Sequence, residues 1–478
     1  MAGTGRLGVD LVIDDTHTNP SCVHGPTVLF ERFQGNGQSR RFYACSACRD
    51  RRGCTFFHWA DQKITSNKQA LWAHLIVEST PARSHEEVYK SLEAIKKLPV
   101  TDRSYCTSCS TLLRKKEISD HGSCVLISPI TNKHLSHPST ILPSKESSKL
   151  EAQYLFTTSS VTVITGMLQA LNTSKVLCVG TPRIHEAVAS SPHLNMSSLM
   201  MDIDDRYCSF FPPEQFIRYN MFNHHFFDGE KAKDTYQRFI SGDENLVLVT
   251  DPPFGGRMEL LAHNLKKIQE DWRRARGLDS HLELPVLFIF PYFMEPQVVS
   301  NLPSLTMLDY QVDYDNHPLY SSGPKGMRNG SAVRVFVNRP QSMFPLPEEA
   351  YRFCKVCDRW VSINNLHCDK CNGCMSKDGR TYRHCDECMK CVKPSWIHCS
   401  KCLKCQPQDH KCQTHNALEL TCHMCGHSGH KRMDCPKRKV CHTSIDREAK
   451  KRKKKNNYPQ SLEDERERNL EIFSQLAT

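Results

Sequence analysis

Short apolar runs alternate with amphipathic stretches through the middle of the chain. Apolar runs at 175–179, 198–202, 246–250, 285–290, 305–310 and 332–337 predict six strands, and residues 258–276 have the spacing of an amphipathic helix. Runs this short and apolar are typical of strands buried on both faces, so the alternation predicts a doubly wound α/β sheet. A segment rich in Ser, Pro and Lys at 136–149 is typical of a linker, which places this domain at 150–345.

The strand at 246–250 ends in the tetrapeptide Asp251-Pro252-Pro253-Phe254. Its prolines fix the backbone just past the strand tip, at the edge where open α/β sheets bind their ligands. A carboxylate, proline carbonyls and an aromatic face together suit a planar amine, because Asp251 and the Pro252 carbonyl can accept its N–H bonds while Phe254 stacks on its ring. The structural alternative is a proline-terminated strand of any α/β domain.

This tetrapeptide resembles the [DNS]-P-P-[YFW] motif of amino-methyltransferases, which methylate exocyclic amines with S-adenosylmethionine. The resemblance implies a Rossmann-like class I methyltransferase domain with Asp251, Pro252, Pro253 and Phe254 at its catalytic centre. It further implies a cofactor site with four parts: a segment that covers the cofactor, the turn after the strand at 175–179, an acidic residue that accepts from the ribose, and the catalytic carboxylate. The candidate residues are Gln153, Tyr154, Phe156, Gly180, Thr181, Pro182, Asp202, Asp204 and Asp251. The family's usual G-x-G after the first strand is missing, since Thr181 and Pro182 follow Gly180.

Two further segments of this domain attract attention. Residues 220–225 (Asn-Met-Phe-Asn-His-His) could approach the substrate, but we expect them to form an amphipathic core helix. The glycine-rich segment 321–330 carries Lys325 and Arg328 and is a candidate loop for gripping RNA.

Cysteine use and charge define the rest of the chain. Most of the 25 cysteines of this 478-residue protein stand in Cys-x2-Cys pairs, and the formal net charge is +11. The first residues lack the pattern of a secretory signal, and no apolar run approaches a membrane span, so we expect a reducing compartment with zinc rather than disulfides. The positive charge favours a polyanionic partner, although it could merely aid solubility.

Two small zinc modules are predicted before the catalytic domain. At 15–65 the ligands are Cys22, His24, Cys45 and Cys54, with Cys48 as a less favoured substitute, and at 100–130 they are Cys106, Cys109, His121 and Cys124. The first module resembles a GRF zinc finger, and its arginines interleaved with aromatics suit single-stranded nucleic acid. Phe56 is expected in its miniature core. Residues 86–98 have helical spacing and are expected to link the two modules.

The pattern His-Cys-x2-Cys-x2-Cys repeats within 350–416 and resembles CTCHY-type zinc-bead arrays. We assign each zinc a Cys-x2-Cys pair plus a following His-Cys, although adjacent beads could exchange partners. The four sets are Cys354, Cys357, His367 and Cys368; Cys371, Cys374, His384 and Cys385; Cys388, Cys391, His398 and Cys399; and Cys402, Cys405, His410 and Cys412, with His415 as a competing ligand in the fourth. The array could serve as a rigid spacer or contact RNA directly.

A zinc knuckle and a basic tail complete the chain. Cys422, Cys425, His430 and Cys435, within 420–437, match the ligand spacing of the retroviral CCHC knuckle, which binds single-stranded RNA. The tail at 438–478 holds six consecutive basic residues at 450–455, typical of a nuclear or nucleolar address or of phosphate contact.

The order of these modules resembles the family of CCHC zinc-finger rRNA adenosine N6-methyltransferases. That resemblance implies S-adenosylmethionine and up to about seven zinc ions as cofactors, structured rRNA with an accessible adenosine as substrate, and a nucleolar location with a possible cytoplasmic pool. Two alternatives stay open from the residues alone. One is a protein lysine methyltransferase, because related enzymes with Asp-Pro-Pro-Phe methylate protein amines. The other is a non-enzymatic RNA-binding zinc scaffold.

Overall fold

The computed structural model describes residues 7–12, 16–34, 38–47, 53–145, 153–316, 331–410 and 412. Its first module is a four-stranded antiparallel sheet with a small two-stranded ribbon beside it. The strands are β1 (Leu7–Val12), β2 (Ser21–Cys22), β3 (Gly25–Pro26), β4 (Val28–Gln34), β5 (Ser39–Ala44) and β6 (Phe57–Trp59). Phe56 is 6 % exposed and packs against Cys22 and Cys45, which confirms that it belongs to the small core of this module.

Two helices lead from the first module to the second. Helix α1 (Ser66–Ser79) was not predicted, whereas α2 (His85–Lys96) confirms the helix expected at 86–98. A capping box of Ser84 and Glu87 starts α2. The second module is a three-stranded sheet of β7 (Arg103–Cys106), β8 (Thr111–Arg114) and β9 (Leu126–Ile127), followed by the short helix α3 (Asn132–Ser136).

The central domain is a mostly parallel eight-stranded sheet, which confirms the predicted α/β class. Its strands are β10 (Lys175–Val179), β11 (Ser197–Asp202), β12 (Phe216–Asn220), β13 (His225–Phe226), β14 (Leu246–Thr250), β15 (Val286–Pro291), β16 (Thr306–Gln311) and β17 (Val333–Val337). Their order is β13-β12-β11-β10-β14-β15-β17-β16, with β13 and β17 antiparallel to their neighbours. The chain reverses its direction of travel between β10 and β14, so the topological switch point lies there.

Helices cover both faces of this sheet. They are α4 (Thr158–Ala170), α5 (Pro182–Ser190), α6 (Gly229–Ile240), α7 (Met258–Arg276) and α8 (Glu295–Asn301). Alternate residues of β10 enter opposite cores: Val176 and Cys178 pack in the cluster that contains α4 and α5, whereas Leu177 and Val179 pack in the one that contains α6 and α7. Both faces of the strand are therefore buried, which explains why its sequence is uniformly apolar.

Four small hairpins follow the central domain in the zinc-bead segment. They pair β18 (Tyr351–Cys354) with β19 (Arg359–Ser362), β20 (His367–Cys368) with β21 (Gly373–Cys374), β22 (Arg383–Cys385) with β23 (Lys390–Val392), and β24 (Trp396–Cys399) with β25 (Lys404–Pro407). The first hairpin docks on the edge of the large sheet, where Asp309 accepts hydrogen bonds from the Ser362 amide at 2.9 Å and from Asn365 Nδ2 at 2.8 Å.

All six predicted strands occur within one residue of their expected limits, and helix α7 has the predicted bounds. The helix expected at 220–225 is wrong, because these residues end β12, form a turn and begin β13. His224 in this turn has a φ of 55°, which a helix excludes. The loop at 321–330, the CCHC knuckle and the basic tail lie outside the described residues. No helix among the described residues is long and apolar enough to cross a membrane.

Candidate active site and metal centres

The tetrapeptide that begins at Asp251 lies at the switch point of the sheet, directly after β14 and beside the end of β10. The Asp251 amide donates to the Val179 carbonyl at 3.3 Å, so the two strand ends are held together. Gly180 follows β10 with a φ of +69°, and a Cβ there would lie 3.1 Å from the Asp251 carbonyl oxygen. A side chain at Gly180 would therefore disturb residues 251–256, here called the catalytic turn. This contact explains why a glycine is needed at position 180.

Aromatic rings surround the tetrapeptide. Tyr154 stacks on Phe254 with ring centroids 6.1 Å apart and an angle of 30°, while Tyr314 and Phe290 meet Phe254 edge-on at 6.2 and 6.0 Å. Tyr154 comes from the predicted covering segment, which thus lies against the catalytic turn. Stacked and edge-on rings form an apolar wall that suits a planar heteroaromatic substrate.

The Asp251 carboxylate has one hydrogen-bonding neighbour that the sequence did not suggest. The Tyr314 hydroxyl donates to both Asp251 carboxylate oxygens, at 3.2 Å each. Burial raises the pKa of Asp251 well above its usual range, and the Tyr314 hydroxyl opposes this rise because it stabilises the charged form. Tyr314 thereby keeps a poorly solvated carboxylate available as an acceptor.

The covering segment is fastened to the residues around Tyr314. Phe156 and Tyr314 form an antiparallel bridge, and Asn316 uses its side chain twice: Oδ1 accepts from the Leu155 amide and Nδ2 donates to the Gln153 carbonyl, both at 2.8 Å. Arg183 of α5 donates to the Phe156 carbonyl and to Asp315. Gln153, Tyr154 and Phe156 are therefore held over the strand ends, where a bound cofactor would be covered.

The two candidate ribose acceptors differ in their partners. Asp204 already binds Arg206 and Lys145, with Arg206 Nε 2.8 Å and Lys145 Nζ 3.0 Å from its Oδ1. Burial alone would raise its pKa, but these two cations together hold the pKa of Asp204 below its usual range. Asp202 ends β11, is 8 % exposed and accepts from the Asp204 amide at 2.9 Å. Burial, and then the charge of Asp204, raise the pKa of Asp202 to about 7.

The remaining residues of the turn after β10 begin helix α5. Thr181 is fully buried, and Pro182 is at the first helical position, where its missing N–H leaves no helical bond unmade. The structure thus brings Gly180, Thr181 and Pro182 to the same edge as Asp251. Of the two acids, Asp204 is already paired with the cations Arg206 and Lys145.

Among the described residues, six groups of side chains could each hold a metal ion. In the two N-terminal modules the groups are those expected, Cys22, His24, Cys45 and Cys54, and Cys106, Cys109, His121 and Cys124. Within each group the candidate ligand atoms all lie within 4.8 Å of one another. Three cysteines and one histidine in this arrangement suit tetrahedral zinc.

The ligand grouping expected for the zinc beads is wrong. The structure groups Cys354, Cys357, His367 and Cys374; Cys368, Cys371, His384 and Cys391; and Cys385, Cys388, His398 and Cys405. In the fourth bead, the sulfurs of Cys399 and Cys412 are 3.6 Å apart, and His410 Nε2 lies 3.5 Å from the Cys402 sulfur and 3.3 Å from that of Cys412. In each of the first three beads, the last ligand is therefore a cysteine that follows the first two ligands of the next bead in the sequence.

Strand geometry explains the correct grouping. His367 and Cys368 are neighbours in β20, so their side chains point to opposite faces and do not share one ion. The register pairs His367 with Cys374, and the next two hairpins pair His384 with Cys391 and His398 with Cys405. In five Cys-x2-Cys pairs of the described chain, the residue after the second cysteine has a φ near +50°; these residues are Ser110, Asp358, Asn372, Met389 and Leu403.

Three contributors to the site were missed from sequence. Tyr314 and Asn316 follow the carboxyl end of β16, so their position just past a predicted strand was the available signal. Arg183 stands in the turn that departs from the usual glycine pattern. No sequence signal indicated that residues 220–225 would contact the first zinc module.

Comparisons with known proteins agree with this geometry. Residues 147–323 match the family described as probable N6-adenine methyltransferase, and residues 20–63 match the GRF zinc finger family. Fold and site therefore define an α/β methyltransferase of the N6-adenine type that carries a GRF finger and further Cys/His centres.

Similarity to curated proteins extends over nearly the whole chain. The human protein named rRNA N(6)-adenosine-methyltransferase ZCCHC4 is 45% identical over 91% of this chain and 86% of its own length. The mouse protein of the same name is also 45% identical with the same coverage, and that of Xenopus tropicalis is 44% identical over 88% of this chain and 87% of its own. The chain belongs to this family of rRNA N6-adenosine methyltransferases.

Proposed function

We propose that this protein methylates the N6 amine of an adenosine in large-subunit rRNA. The observation that carries the proposal is the catalytic turn at the switch point, where the Asp251 carboxylate accepts from Tyr314 and the rings of Tyr154, Phe254 and Tyr314 pack together. Full-length similarity to the named rRNA methyltransferases supports RNA as the substrate.

The residues near Asp251 fit S-adenosylmethionine as the cofactor. Asp202 offers a buried carboxylate at the end of β11 for a ribose hydroxyl, and the turn at Gly180 allows close approach of a ligand to the backbone. Tyr154 and Phe156 cover the strand ends. When bound, S-adenosylmethionine supplies an electrophilic methyl group on a sulfonium.

The chain's own residues solve the problem that an exocyclic amine is a poor nucleophile, because its lone pair is delocalised into the ring. Asp251 and the Pro252 carbonyl accept its two N–H bonds and fix the direction of the lone pair, while Phe254 and Tyr154 hold the ring plane. Such positioning accounts for much of the rate enhancement. The Asp251 charge then stabilises the positive charge that develops on the amine nitrogen.

The zinc modules are proposed to hold the RNA substrate near this site. In the first module Arg40 lies 4.0 Å from the Trp59 ring centroid, and Phe42 packs against both Phe57 and Trp59, so a cation and aromatic rings share one face. That combination suits backbone contact and base stacking. We propose zinc at the six described Cys/His groups and at the CCHC knuckle, and a nucleolar location, which the rRNA substrate and the basic tail favour.

Methyl transfer to total RNA and protein from cells lacking this protein tests the proposal. Wild type should place label from S-adenosylmethionine in N6-methyladenosine of large rRNA. Asp251→Ala should lower the rate by about 100-fold or more, by analogy with removing one preorganised partner of a transition state. Asp243→Ala is the matched control, because Asp243 is exposed at the opposite edge of the sheet. Label in a protein band would instead identify a lysine methyltransferase, and no transfer with no cofactor binding would leave a scaffold.

A further inference from the structure

The turn at residues 220–225, here called the docking loop, contacts both the first zinc module and the catalytic turn. It leaves β12 at the carboxyl edge of the sheet, on the side of β10 away from β14. Asn264 of α7 supports it from below, with Nδ2 donating to the Met221 carbonyl at 3.0 Å. A segment that touches two functional parts of one chain can set their relative placement.

Two asparagines fasten the docking loop to the zinc module. Asn220 Nδ2 donates to the His24 carbonyl at 2.8 Å, while its Oδ1 accepts from the Phe222 amide at 3.0 Å. Asn223 Nδ2 donates to the carbonyls of His24, at 3.1 Å, and Pro26, at 2.8 Å. Both asparagines are buried, so these hydrogen bonds are protected from exchange with water.

The contacted part of the zinc module is its metal-binding turn. His24 belongs to the first Cys/His group, and Gly25 approaches the loop so closely that a Cβ on it would lie 2.4 Å from the His225 ring. Gly25 also has a φ of +94°, so both space and backbone conformation demand glycine there. The zinc module therefore rests on the docking loop through backbone, without a flexible spacer.

On its other side the docking loop contacts two turns: the cofactor turn at Gly180, which follows β10, and the catalytic turn, which follows β14. A Cβ on Gly180 would lie 2.8 Å from Met221 Cε, and a Cβ on Gly256 would lie 2.7 Å from Phe222 Cε1. Phe222 is buried in one apolar cluster with Val28 of the zinc module and Met258 of α7. The side chains between the two asparagines thus fill the space against the cofactor turn and the catalytic turn.

We propose that Asn220 and Asn223 are positioning residues for methyl transfer, which fix Met221 and Phe222 against the turns that flank Asp251. The first zinc module is then a structural part of the catalytic centre and not only an arm that recruits RNA. This inference rests on the proposed function for its kinetic consequences, but the contacts that carry it concern the cofactor turn as well.

Asn223→Asp is the sharpest test. The substitution keeps the size of the side chain but replaces the amide donor by a carboxylate oxygen facing two carbonyl oxygens. Asn223→Ala serves as a second variant without the added charge, should the first fail to fold. Asn245→Asp is the matched control: its Nδ2 also donates to a backbone carbonyl, that of Asn172 at 3.1 Å, but at the opposite edge of the sheet.

Four quantities are measured on the full chain: zinc content, Kd for an rRNA fragment, Kd for S-adenosylmethionine by calorimetry, and kcat with KM. In the Asn223 variants kcat should fall at least about tenfold and cofactor affinity several-fold, as expected when a reacting geometry is misplaced. Zinc content and RNA Kd should stay within about twofold of wild type, and Asn245→Asp should change none of the four.

Two results would overturn the inference. One is an unchanged kcat and cofactor affinity in both Asn223 variants. The other is a weakened RNA affinity with kcat unchanged, which would make the module a recruitment arm alone. If wild type transfers no methyl group to RNA, the proposed function fails, but calorimetry still tests the positioning role of Asn223. Weaker cofactor binding in the Asn223 variants supports that role, and binding equal to that of wild type refutes it.

Discussion

Tyr314→Phe isolates the contribution of one hydroxyl to the catalytic carboxylate. The change keeps the ring that packs against Tyr154 and Phe254 but removes the donor to both Asp251 oxygens. A hydrogen bond to a charged group contributes about 1.5–3 kcal/mol, and bonds of 3.2 Å shared between two oxygens belong at the lower end. Loss of this bond should therefore raise the pKa of Asp251 further, and a free-energy difference of about 1.4 kcal/mol corresponds to a factor of about ten in the ratio of its protonated and ionised forms.

The assay is the pH profile of kcat/KM, which reports the titration of the free enzyme. Burial raises the pKa of Asp251, so activity should increase with pH as this carboxyl ionises, and Tyr314→Phe should move that limb of the profile to higher pH. On the acidic limb the variant should be about tenfold slower, whereas on the alkaline plateau the two rates should converge.

Tyr310→Phe is the control, because its hydroxyl donates to Ser160 at 3.5 Å, away from Asp251. Its profile should follow that of wild type. An equal loss of rate at every pH in Tyr314→Phe, or an unshifted acidic limb, would show that the hydroxyl does not act through the Asp251 carboxylate.

Three other predictions concern the cofactor turn, the zinc beads and the stability of the site. Gly180→Ala and Gly277→Ala both place a side chain at positive φ, so each should lower the free energy of unfolding by about 1–2 kcal/mol. Only Gly180→Ala should weaken S-adenosylmethionine binding in calorimetry, because nothing lies within 4 Å of a Cβ at Gly277. Cys374→Ser should release about one zinc ion and leave Cys354 and Cys357 open to alkylation, while Cys371 stays protected. Mass spectrometry detects the alkylated cysteines. Alkylation of Cys371 instead would support the grouping first expected from the sequence. Asp251→Asn should melt at a higher temperature than wild type at neutral pH. The reason is that a carboxyl whose pKa is raised on folding destabilises the protein once the pH exceeds the pKa of the unfolded state. The difference should vanish below about pH 4, where Asp is protonated in both states. Equal melting temperatures at neutral pH would contradict that view of the carboxylate.

The strands of the central sheet could be predicted because their sequence and their environment agree. Both faces of β10 and β14 are buried, so each appears as an uninterrupted apolar run that ends at the tetrapeptide or at Gly180. The position of Asp251 follows from topology, since ligand sites in such sheets lie at the switch point.

Tertiary contacts explain what the sequence could not predict. The sequence of residues 220–225 suggested a helix, but Phe222 is buried and Met221 half-buried because they contact the zinc module and two glycine turns. Likewise, three His-Cys dipeptides suggested shared ions, and only the strand register reveals that neighbouring residues face different metals. Periodicity reports burial, but it does not report which partner provides it.

The register of the beads also makes them behave as interlocked rings. The loop that closes the first ring, from His367 to Cys374, contains Cys368 and Cys371, which are the opening ligands of the second. Loss of one ion should therefore weaken metal binding by the neighbouring bead without releasing its ion outright, much as the stability of one repeat of a solenoid depends on the next. We therefore expect the described part of the array, residues 351–410, to hold its length and direction only when each of its beads binds a metal ion.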